Sequence, residues 1–187
     1  SRLISNDLEK KILNKIITPT LSAINDLGCS YVGFLYAGLM IINNEPFLIE
    51  YNVRMGDPEC QTILPVLSND LFEVFDACCK KKLNQIKIEL DNKKSLCVVL
   101  CSKGYPDDYK KNIEIKNIDN IQLFNNDYLF HAGTSNLNGK IVATGGRVLN
   151  FVSISDNFSD AKKKIFNNLN DLDWSEGFYR KDIGYKV

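Results

Sequence analysis

The segment LIEYNVRMGDPECQ, Leu48 to Gln61, alternates apolar and polar side chains and then enters a Gly-Asp-Pro-Glu turn. Alternation is typical of a β-strand, in which successive side chains point to opposite faces. We therefore predict a strand over Phe47–Arg54 that places Glu50, Asn52 and Arg54 on one face, about 6.6 Å apart for every two residues.

These three polar side chains have the chemistry of a magnesium–phosphate site. Carboxylate and amide oxygens are suitable ligands for Mg²⁺, which keeps several waters and binds substrate phosphates. A guanidinium one step further along could hold a phosphate oxygen through two hydrogen bonds. The same alternation is also typical of the solvent-exposed face of an ordinary sheet, and three residues alone do not decide between the two.

Composition places the chain among ordinary globular proteins. Of its 187 residues 44% are hydrophobic and 25% charged, and 23 basic residues balance 23 acidic ones. Because the formal charge is zero, we expect neither nucleic acid nor an anionic membrane as a partner. The longest apolar run, around Phe34 to Ile42, is too short to span a bilayer.

The cysteines and the first residues indicate where the protein is located in the cell and whether its sequence is a fragment. Six cysteines occur without paired C-x-x-C spacing, which favours reduced thiols over a disulfide framework or a metal site. The first twenty residues lack a signal-peptide pattern, so we expect a cytoplasmic protein. The sequence begins Ser-Arg without Met, which indicates either a fragment or a processed chain.

The first 90 residues predict helices around one hairpin. Asn6 and Glu9 can form a capping box for a first helix, and Pro19 predicts a kink or a restart with Thr18 as cap. The remaining predicted elements are a strand buried on both faces over Tyr31–Ile42, a turn at Asn43-Asn44, and a helix with a capping box of Asp70 and Glu73.

From about residue 91 the pattern changes to short strands and turns. The polar stretch 84–94 before it predicts a domain boundary, which gives domains 1–90 and 91–187. Predicted elements are strands near 96–101, 128–133, 141–143 and 148–154, and a helix with Phe158, Ala161, Ile165 and Leu169 on one face. The predicted fold class is α+β.

Several longer motifs follow one another in a fixed order. They are GFLYAGLMI (33–41), LIEYNVRMGDPECQ (48–61), ILPVLSNDL (63–71), SKGYPDDY (102–109), FHAGT (130–134), GGRVL (145–149) and FYRKDIG (178–184). In this order and spacing the chain resembles, over nearly its whole length, the closing section of the phosphoribosylamine–glycine ligase (glycinamide ribonucleotide synthetase) family of ATP-grasp enzymes. Asp107 in place of the family's usual Gly and Val53 in place of a common Cys are minor departures.

The resemblance implies an architecture and a reaction. Residues 1–90 would be the C-terminal lobe of an ATP-grasp domain, an antiparallel sheet with helices, and 91–187 a small sheet-and-helix C-terminal domain. In such an enzyme ATP phosphorylates glycine to an acyl phosphate, which the amine of 5-phosphoribosylamine attacks in a step of purine synthesis. By the family pattern, Glu50 and Asn52 would be ligands of the Mg²⁺ or Mn²⁺ that binds the ATP phosphates. Arg54 would hold the phosphoryl group that is transferred.

The same pattern suggests further substrate contacts. Asp57 and Glu59 would orient the substrate amino groups, although a simple Asx-type turn with Pro58 fixing φ explains them equally. Arg180 and Lys181 would receive the ribose 5-phosphate, with a surface cluster without ligand as the alternative.

The roles of His131 and Arg147 stay open. His131 is interpreted as a hydrogen-bonded structural residue. Arg147 could contribute to a site, although the Gly145-Gly146 pair beside it more often serves a bend or bulge.

The family enzyme is more than twice as long as this chain. Its N-terminal part would be a partner of the segment, and we expect the segment alone to be inactive because no glycine-rich phosphate loop precedes Glu50. Two alternatives remain open at this point: another purine ATP-grasp ligase, and a non-catalytic remnant or interaction module.

Overall fold

A computed structural model describes residues 3–187, which form two compact units. The first contains the described part of Ser1–Asp57 together with Leu67–Glu89 and Lys186–Val187. The second contains Pro58–Val66 and Leu90–Tyr185. Helices and antiparallel strands occur in both, so the predicted α+β class is confirmed.

The first unit opens with an almost continuous helical segment. It consists of α1 (Asn6–Ile12), a π-helical turn (Leu13–Ile17) and α2 (Thr18–Asp26). The N-cap of α1 is Ser5, whose hydroxyl accepts a hydrogen bond from the Leu8 N–H at 3.2 Å, so the predicted Asn6–Glu9 box is wrong.

The chain accommodates Pro19 without starting a new helix. Thr18 has helical φ and ψ and its N–H donates to the Leu13 carbonyl in a π turn, so the predicted Thr18 cap is also wrong. Proline has no N–H to donate to the carbonyl four residues earlier. The π turn immediately before Pro19 replaces the regular α-helical hydrogen bonds at this point. Gly28, with a φ of +79°, follows the last turn and ends the segment.

A two-stranded antiparallel hairpin follows, formed by β1 (Tyr36–Ile42) and β2 (Glu45–Asn52). Its turn residues Asn43 and Asn44 have φ of 51° and 60°, the left-handed conformation that asparagine tolerates, which confirms the predicted turn.

The predicted limits of the two strands are wrong. The first begins at Tyr36 rather than Tyr31, and the second ends at Asn52 rather than Arg54. The first strand is also not buried on both faces, because its residues within this chain are half-buried or exposed.

Helix α4 (Leu71–Cys79) completes the first unit together with a short 3₁₀ turn at Leu83–Gln85. The Asp70 carboxylate accepts hydrogen bonds from the N–H groups of Phe72 and Glu73 at 2.8 and 3.2 Å, which confirms Asp70 as the N-cap, the first half of the predicted capping box.

The second unit is built on two antiparallel sheets. In chain order the strands are β3 (Lys94–Ser102), β4 (Ile113–Glu114), β5 (Asp127–His131), β6 (Thr134–Leu137), β7 (Lys140–Ala143), β8 (Arg147–Ser155) and β9 (Gly177–Phe178). The larger sheet has the strand order β5-β8-β3-β9 and the smaller β4-β7-β6.

Helix α5 (Phe158–Asp171) closes the core of this unit. Its buried residues Ala161, Ile165 and Leu169 belong to one apolar cluster with Val98 and Phe151 of the central strands. The periodicity of the helix therefore predicted its inner face correctly. The second unit also contains α3 (Glu59–Ile63), which leads into a 3₁₀ turn at Leu64–Val66.

Candidate metal and phosphate site

The hairpin β1–β2 carries the candidate metal ligands. Glu50 and Asn52 are paired with Gly38 and Tyr36 respectively in the antiparallel ladder. Because side chains two residues apart lie on the same face of a strand, the Glu50 and Asn52 side chains meet. The Asn52 Nδ2 donates to Glu50 Oε1 at 3.1 Å.

This pair offers oxygen donors suited to a small divalent cation. Glu50 is exposed and Asn52 half-buried, so the carboxylate remains accessible. Half a turn of the Asn52 amide about χ2 would place its Oδ1 where the Nδ2 now faces the carboxylate. One carboxylate and one amide oxygen fit Mg²⁺ or Mn²⁺, which take their remaining ligands from water and substrate phosphates. No group of three or more His, Cys, Asp or Glu residues capable of holding a metal is present within residues 3–187.

A β-bulge interrupts the hairpin next to Glu50. Gly38 pairs with Glu50 but the next residue, Leu39, pairs with Leu48, so Ile49 has no partner in the ladder. The predicted strict alternation across Ile49 is therefore wrong. Bulges bend a strand and re-aim side chains, and they occur often beside active sites.

The opposite face of β2 is anchored to the helical segment. The Tyr51 hydroxyl lies 2.6 Å from Thr20 Oγ1 and donates to the Ile16 carbonyl at 3.2 Å. Sequence reasoning missed this anchor, because Tyr51 and Thr20 are 31 residues apart and no local pattern connects them.

A carboxylate clamp holds the other end of the same strand. Glu45 accepts hydrogen bonds from Lys11 Nζ at 2.5 Å and Lys15 Nζ at 2.6 Å. These two hydrogen bonds lower the pKa of Glu45 from 4.5 to about 2. Lys11 also donates to the Asn44 carbonyl, so the clamp holds the hairpin turn as well.

Arg54 lies just beyond the strand. It is exposed in the bend after Asn52, and its Nη1 donates to the Met55 carbonyl at 2.9 Å. Its predicted place on the regular strand is wrong because pairing stops at Asn52. Arg54 is two residues beyond Asn52 along the chain.

The Gly-Asp-Pro-Glu segment forms a turn that enters α3. Asp57 and Pro58 form the turn, and Glu59 is the first residue of the helix. Asp57 and Glu59 are both half-buried, while Gly56 is buried. Asp57 belongs to the first unit and Glu59 to the second.

Arg180 and Lys181 lie in the C-terminal tail of the second unit, where both are exposed. The Arg180 guanidinium makes two hydrogen bonds to the Asp182 carboxylate, Nε to Oδ1 at 3.0 Å and Nη2 to Oδ2 at 2.6 Å. These bonds raise the pKa of Arg180 and lower that of Asp182. A phosphate that binds the Nε–Nη2 edge of the guanidinium would therefore have to displace Asp182, whose charge would also repel it.

The glycines near Arg147 have a packing explanation. A Cβ on Gly146 would lie 2.1 Å from Cδ2 of the Tyr105 ring, and one on Gly133 would lie 2.6 Å from Gly145 Cα. His131 is exposed, and its Nδ1 lies 2.9 Å from Thr134 Oγ1. This hydrogen bond agrees with the structural interpretation of His131.

Two family models match this chain. The ATP-grasp (A) domain of phosphoribosylglycinamide synthetase matches residues 1–60, and the C domain of the same enzyme matches residues 95–186. No helix within residues 3–187 combines the length and apolar character needed to cross a membrane.

Relatives and a solved structure agree with these matches. The chain is 40% identical over 180 residues to phosphoribosylamine–glycine ligase of Caldanaerobacter subterraneus, covering 94% of this chain and 42% of the relative. It is also 40% identical over 185 residues to the human trifunctional purine biosynthetic protein adenosine-3, covering 98% of this chain and 18% of the relative. The crystal structure of phosphoribosylamine–glycine ligase from Thermotoga maritima matches with a TM-score of 0.76 and 32% identity, over 97% of this chain and 44% of that one.

The chain thus spans less than half the length of each of these proteins. The two family models match successive parts of this chain, and the solved structure is of an enzyme with the same name as the relatives. The chain belongs to the phosphoribosylamine–glycine ligase family and corresponds to its C-terminal part, comprising the end of an ATP-grasp domain and the C domain.

Proposed function

We propose that this chain is the C-terminal part of an ATP-dependent ligase that joins glycine to 5-phosphoribosylamine in purine synthesis. The observation that carries the proposal is the contact of the Glu50 carboxylate with the Asn52 amide on one face of β2. We infer the substrates from the similarity to proteins named phosphoribosylamine–glycine ligase. We retain domains 1–90 and 91–187 as part of this proposal.

Glu50 and Asn52 would hold Mg²⁺ or Mn²⁺ against the phosphates of ATP. The bound cation would neutralise phosphate charge during transfer. Arg54, exposed just beyond the strand, would direct its guanidinium at the transferred phosphoryl group, because its planar donors match phosphate oxygens. Its contact to the Met55 carbonyl would be exchanged for one to the phosphate.

The proposed reaction has two covalent steps. A glycine carboxylate oxygen attacks the γ-phosphorus of ATP while the bond to the bridging oxygen breaks, which gives glycyl phosphate and ADP. The amine of phosphoribosylamine then attacks the glycyl carbonyl carbon, the bond to the phosphate oxygen breaks, and the amine releases a proton. The half-buried Asp57 and Glu59 would orient the two amino groups, and Arg180 and Lys181 would receive the ribose 5-phosphate.

The remainder of the ligase would be the partner of this segment. Both faces of the hairpin expose apolar side chains, namely Met40, Ile41, Ile42, Phe47, Leu48 and Ile49. Surface of this kind is typical of an interface left uncovered. We propose that the N-terminal part of the enzyme covers it, and that the segment without that part lacks ligase activity.

The cysteine pattern supports our proposal of a cytoplasmic location. The six cysteines occur without paired C-x-x-C spacing, and two of them, Cys97 and Cys101, are buried. This usage favours reduced thiols, which are typical of reducing compartments. A relative from Arabidopsis thaliana is named as chloroplastic, so fractionation of the source cells is the appropriate measurement.

The test uses the full-length ligase that contains this segment. With ATP, glycine, phosphoribosylamine and Mg²⁺, we expect ADP release that depends on both glycine and the amine. Glu50→Gln should lower kcat by roughly 10²–10³-fold, the usual effect of losing a group that stabilises transition-state charge. The matched control is Glu73→Gln, which makes the same carboxylate-to-carboxamide replacement at an exposed residue of α4. This variant should retain activity.

Each alternative has its own outcome in this test. A full-length protein that releases ADP with another carboxylate or amine in place of glycine or phosphoribosylamine would be a different ATP-grasp ligase. One that releases no ADP with any of them would be a non-catalytic relative.

A further inference from the structure

Gly38 faces the proposed metal ligand directly. It pairs with Glu50 in the ladder, and a Cβ built on Gly38 would lie 3.1 Å from Glu50 Cγ. The other two nearest atoms, the backbone O and N of Glu50, would be at 3.6 and 3.9 Å, which are ordinary contacts. The side chain of Glu50 is therefore the only crowded neighbour of this position among those three atoms.

Backbone conformation does not explain the glycine. Gly38 lies within β1 and is not among the glycines with positive φ, so an alanine could adopt its backbone. Glycine within a strand lowers stability relative to alanine, because it loses more conformational freedom on folding. Local stability alone thus favours a larger residue at this position.

We propose that Gly38 is a positioning residue for the Glu50–Asn52 metal site. The absence of a side chain at residue 38 leaves room for Glu50 Cγ, and that position brings Glu50 Oε1 to 3.1 Å from the Asn52 amide. A Cβ at residue 38 moves Glu50 Cγ by a few tenths of an ångström or rotates the side chain, and the carboxylate leaves Asn52. The proposal rests on the proposed function and deepens it.

The bulge makes this arrangement local to Glu50. Gly38 is the last residue before the register shift, so Leu39 beside it pairs with Leu48 rather than Ile49. A bulge bends its strand, and this one lies directly before Glu50. The residue opposite Glu50, Gly38, has no side chain. The bulge and the glycine together determine where the Glu50 side chain points.

The test compares Gly38→Ala with wild type in the full-length ligase. The probe is Mn²⁺ titrated with a non-hydrolysable ATP analogue present, followed by the electron paramagnetic resonance signal of free Mn²⁺. We expect the Kd for Mn²⁺ to rise about 10-fold, the lower end of the range for groups that orient metal ligands. The thermal midpoint without metal should be unchanged or higher, which a merely structural glycine would not produce.

A double-variant cycle and a metal-free structure complete the test. In the Glu50→Ala background, Gly38→Ala should have no further effect on Mn²⁺ binding, because the group it acts through is gone. In a crystal structure of metal-free Gly38→Ala, the distance from Glu50 Oε1 to Asn52 Nδ2 should exceed 3.5 Å. Ala37→Ser, the neighbouring position on the other face of β1, is the control and should bind Mn²⁺ like wild type.

The outcomes separate this inference from the proposed function. If Glu50→Ala weakens Mn²⁺ binding while Gly38→Ala keeps the wild-type Kd, the positioning role is refuted and the metal site stands. If Glu50→Ala itself binds Mn²⁺ like wild type, both are refuted.

Discussion

At the scale of single residues, the structure distinguishes side chains that meet from those that only share a pattern. Glu50 and Asn52 are in contact, whereas Arg54 lies in the bend after the strand and bonds to the neighbouring Met55 carbonyl. The proposed role of Arg54 therefore depends on a guanidinium that is free to reorient toward a phosphate.

Replacing Arg54 by alanine tests that role. We expect kcat of the full-length ligase to fall roughly 10²–10³-fold, since the guanidinium would stabilise charge on the transferred phosphoryl group. The thermal midpoint should not change, because the side chain is exposed. Arg54→Lys keeps the charge without the planar donors and should recover only part of the rate. Wild-type kcat in Arg54→Ala would exclude Arg54 from phosphoryl transfer.

The Arg180–Asp182 pair gives a second prediction at this scale. If Arg180 receives the ribose 5-phosphate, Asp182→Asn should lower the KM for phosphoribosylamine, because the competing carboxylate charge is removed. Arg180→Ala should raise the same KM, and the KM for ATP should stay constant in both variants. Steady-state kinetics in which neither variant alters the KM for phosphoribosylamine would show that the pair is a surface ion pair.

At the scale of elements, the hairpin is held at both ends of β2. Tyr51 is hydrogen-bonded to the helical segment at one end, and Glu45 is clamped by Lys11 and Lys15 at the other. The clamp is exposed, so salt and solvent screen it.

The clamp predicts a specific dependence of stability on pH. The folded pKa of Glu45 is lowered from 4.5 to about 2, so the stabilisation is present above pH 4.5 and is lost as pH falls toward 2. In urea unfolding, Glu45→Gln should be less stable than wild type at pH 7, and the difference should shrink across this window. Glu89→Gln is the control, because the exposed Glu89 carboxylate pairs with Lys87 two residues away. A difference that stays constant with pH would contradict the clamp.

The helix α5 makes a prediction about packing. Ile165 is 1% exposed within the core of the second unit, so Ile165→Ala should cost about 2–5 kcal/mol in free energy of unfolding. Lys163→Ala, on the exposed side of the same helix, should cost less than about 0.5 kcal/mol. Equal losses in urea unfolding would contradict the assigned inner face.

Elements with a strong local signal were predictable from the sequence. The Asp70 cap, the Asn43-Asn44 turn and the apolar face of α5 follow from side-chain chemistry within a few residues. The π turn before Pro19 and the bulge at Ile49 were not predicted, since both depend on contacts with other elements. The isolated Gly38 within an apolar strand was an available signal for a bulge or a close approach.

At the scale of the whole molecule, the chain belongs to the phosphoribosylamine–glycine ligase family, and the activity is our proposal for a protein as long as its relatives. The matched relatives are more than twice as long as this chain. The contact between Glu50 and Asn52 was predictable from strand periodicity, but the ends of the strand were not. Pairing with β1, rather than alternation, determines where β2 stops.

The segment by itself should not catalyse the reaction. Incubated with ATP, glycine, phosphoribosylamine and Mg²⁺, it should release no more ADP than a blank, because its exposed apolar hairpin would lack the surface that covers it. The full-length ligase assayed in parallel is the positive control. Release of ADP by the segment at the rate of the full-length enzyme would contradict this prediction.

The central claim is that Glu50 and Asn52 bind the divalent cation of an ATP site. The most direct measurement is a Mn²⁺ titration of the full-length ligase with a non-hydrolysable ATP analogue, comparing wild type with Asn52→Ala and Glu50→Ala. The account predicts saturable Mn²⁺ binding by wild type and at least about 10-fold weaker binding by each variant. Unchanged Mn²⁺ affinity in both variants would contradict it.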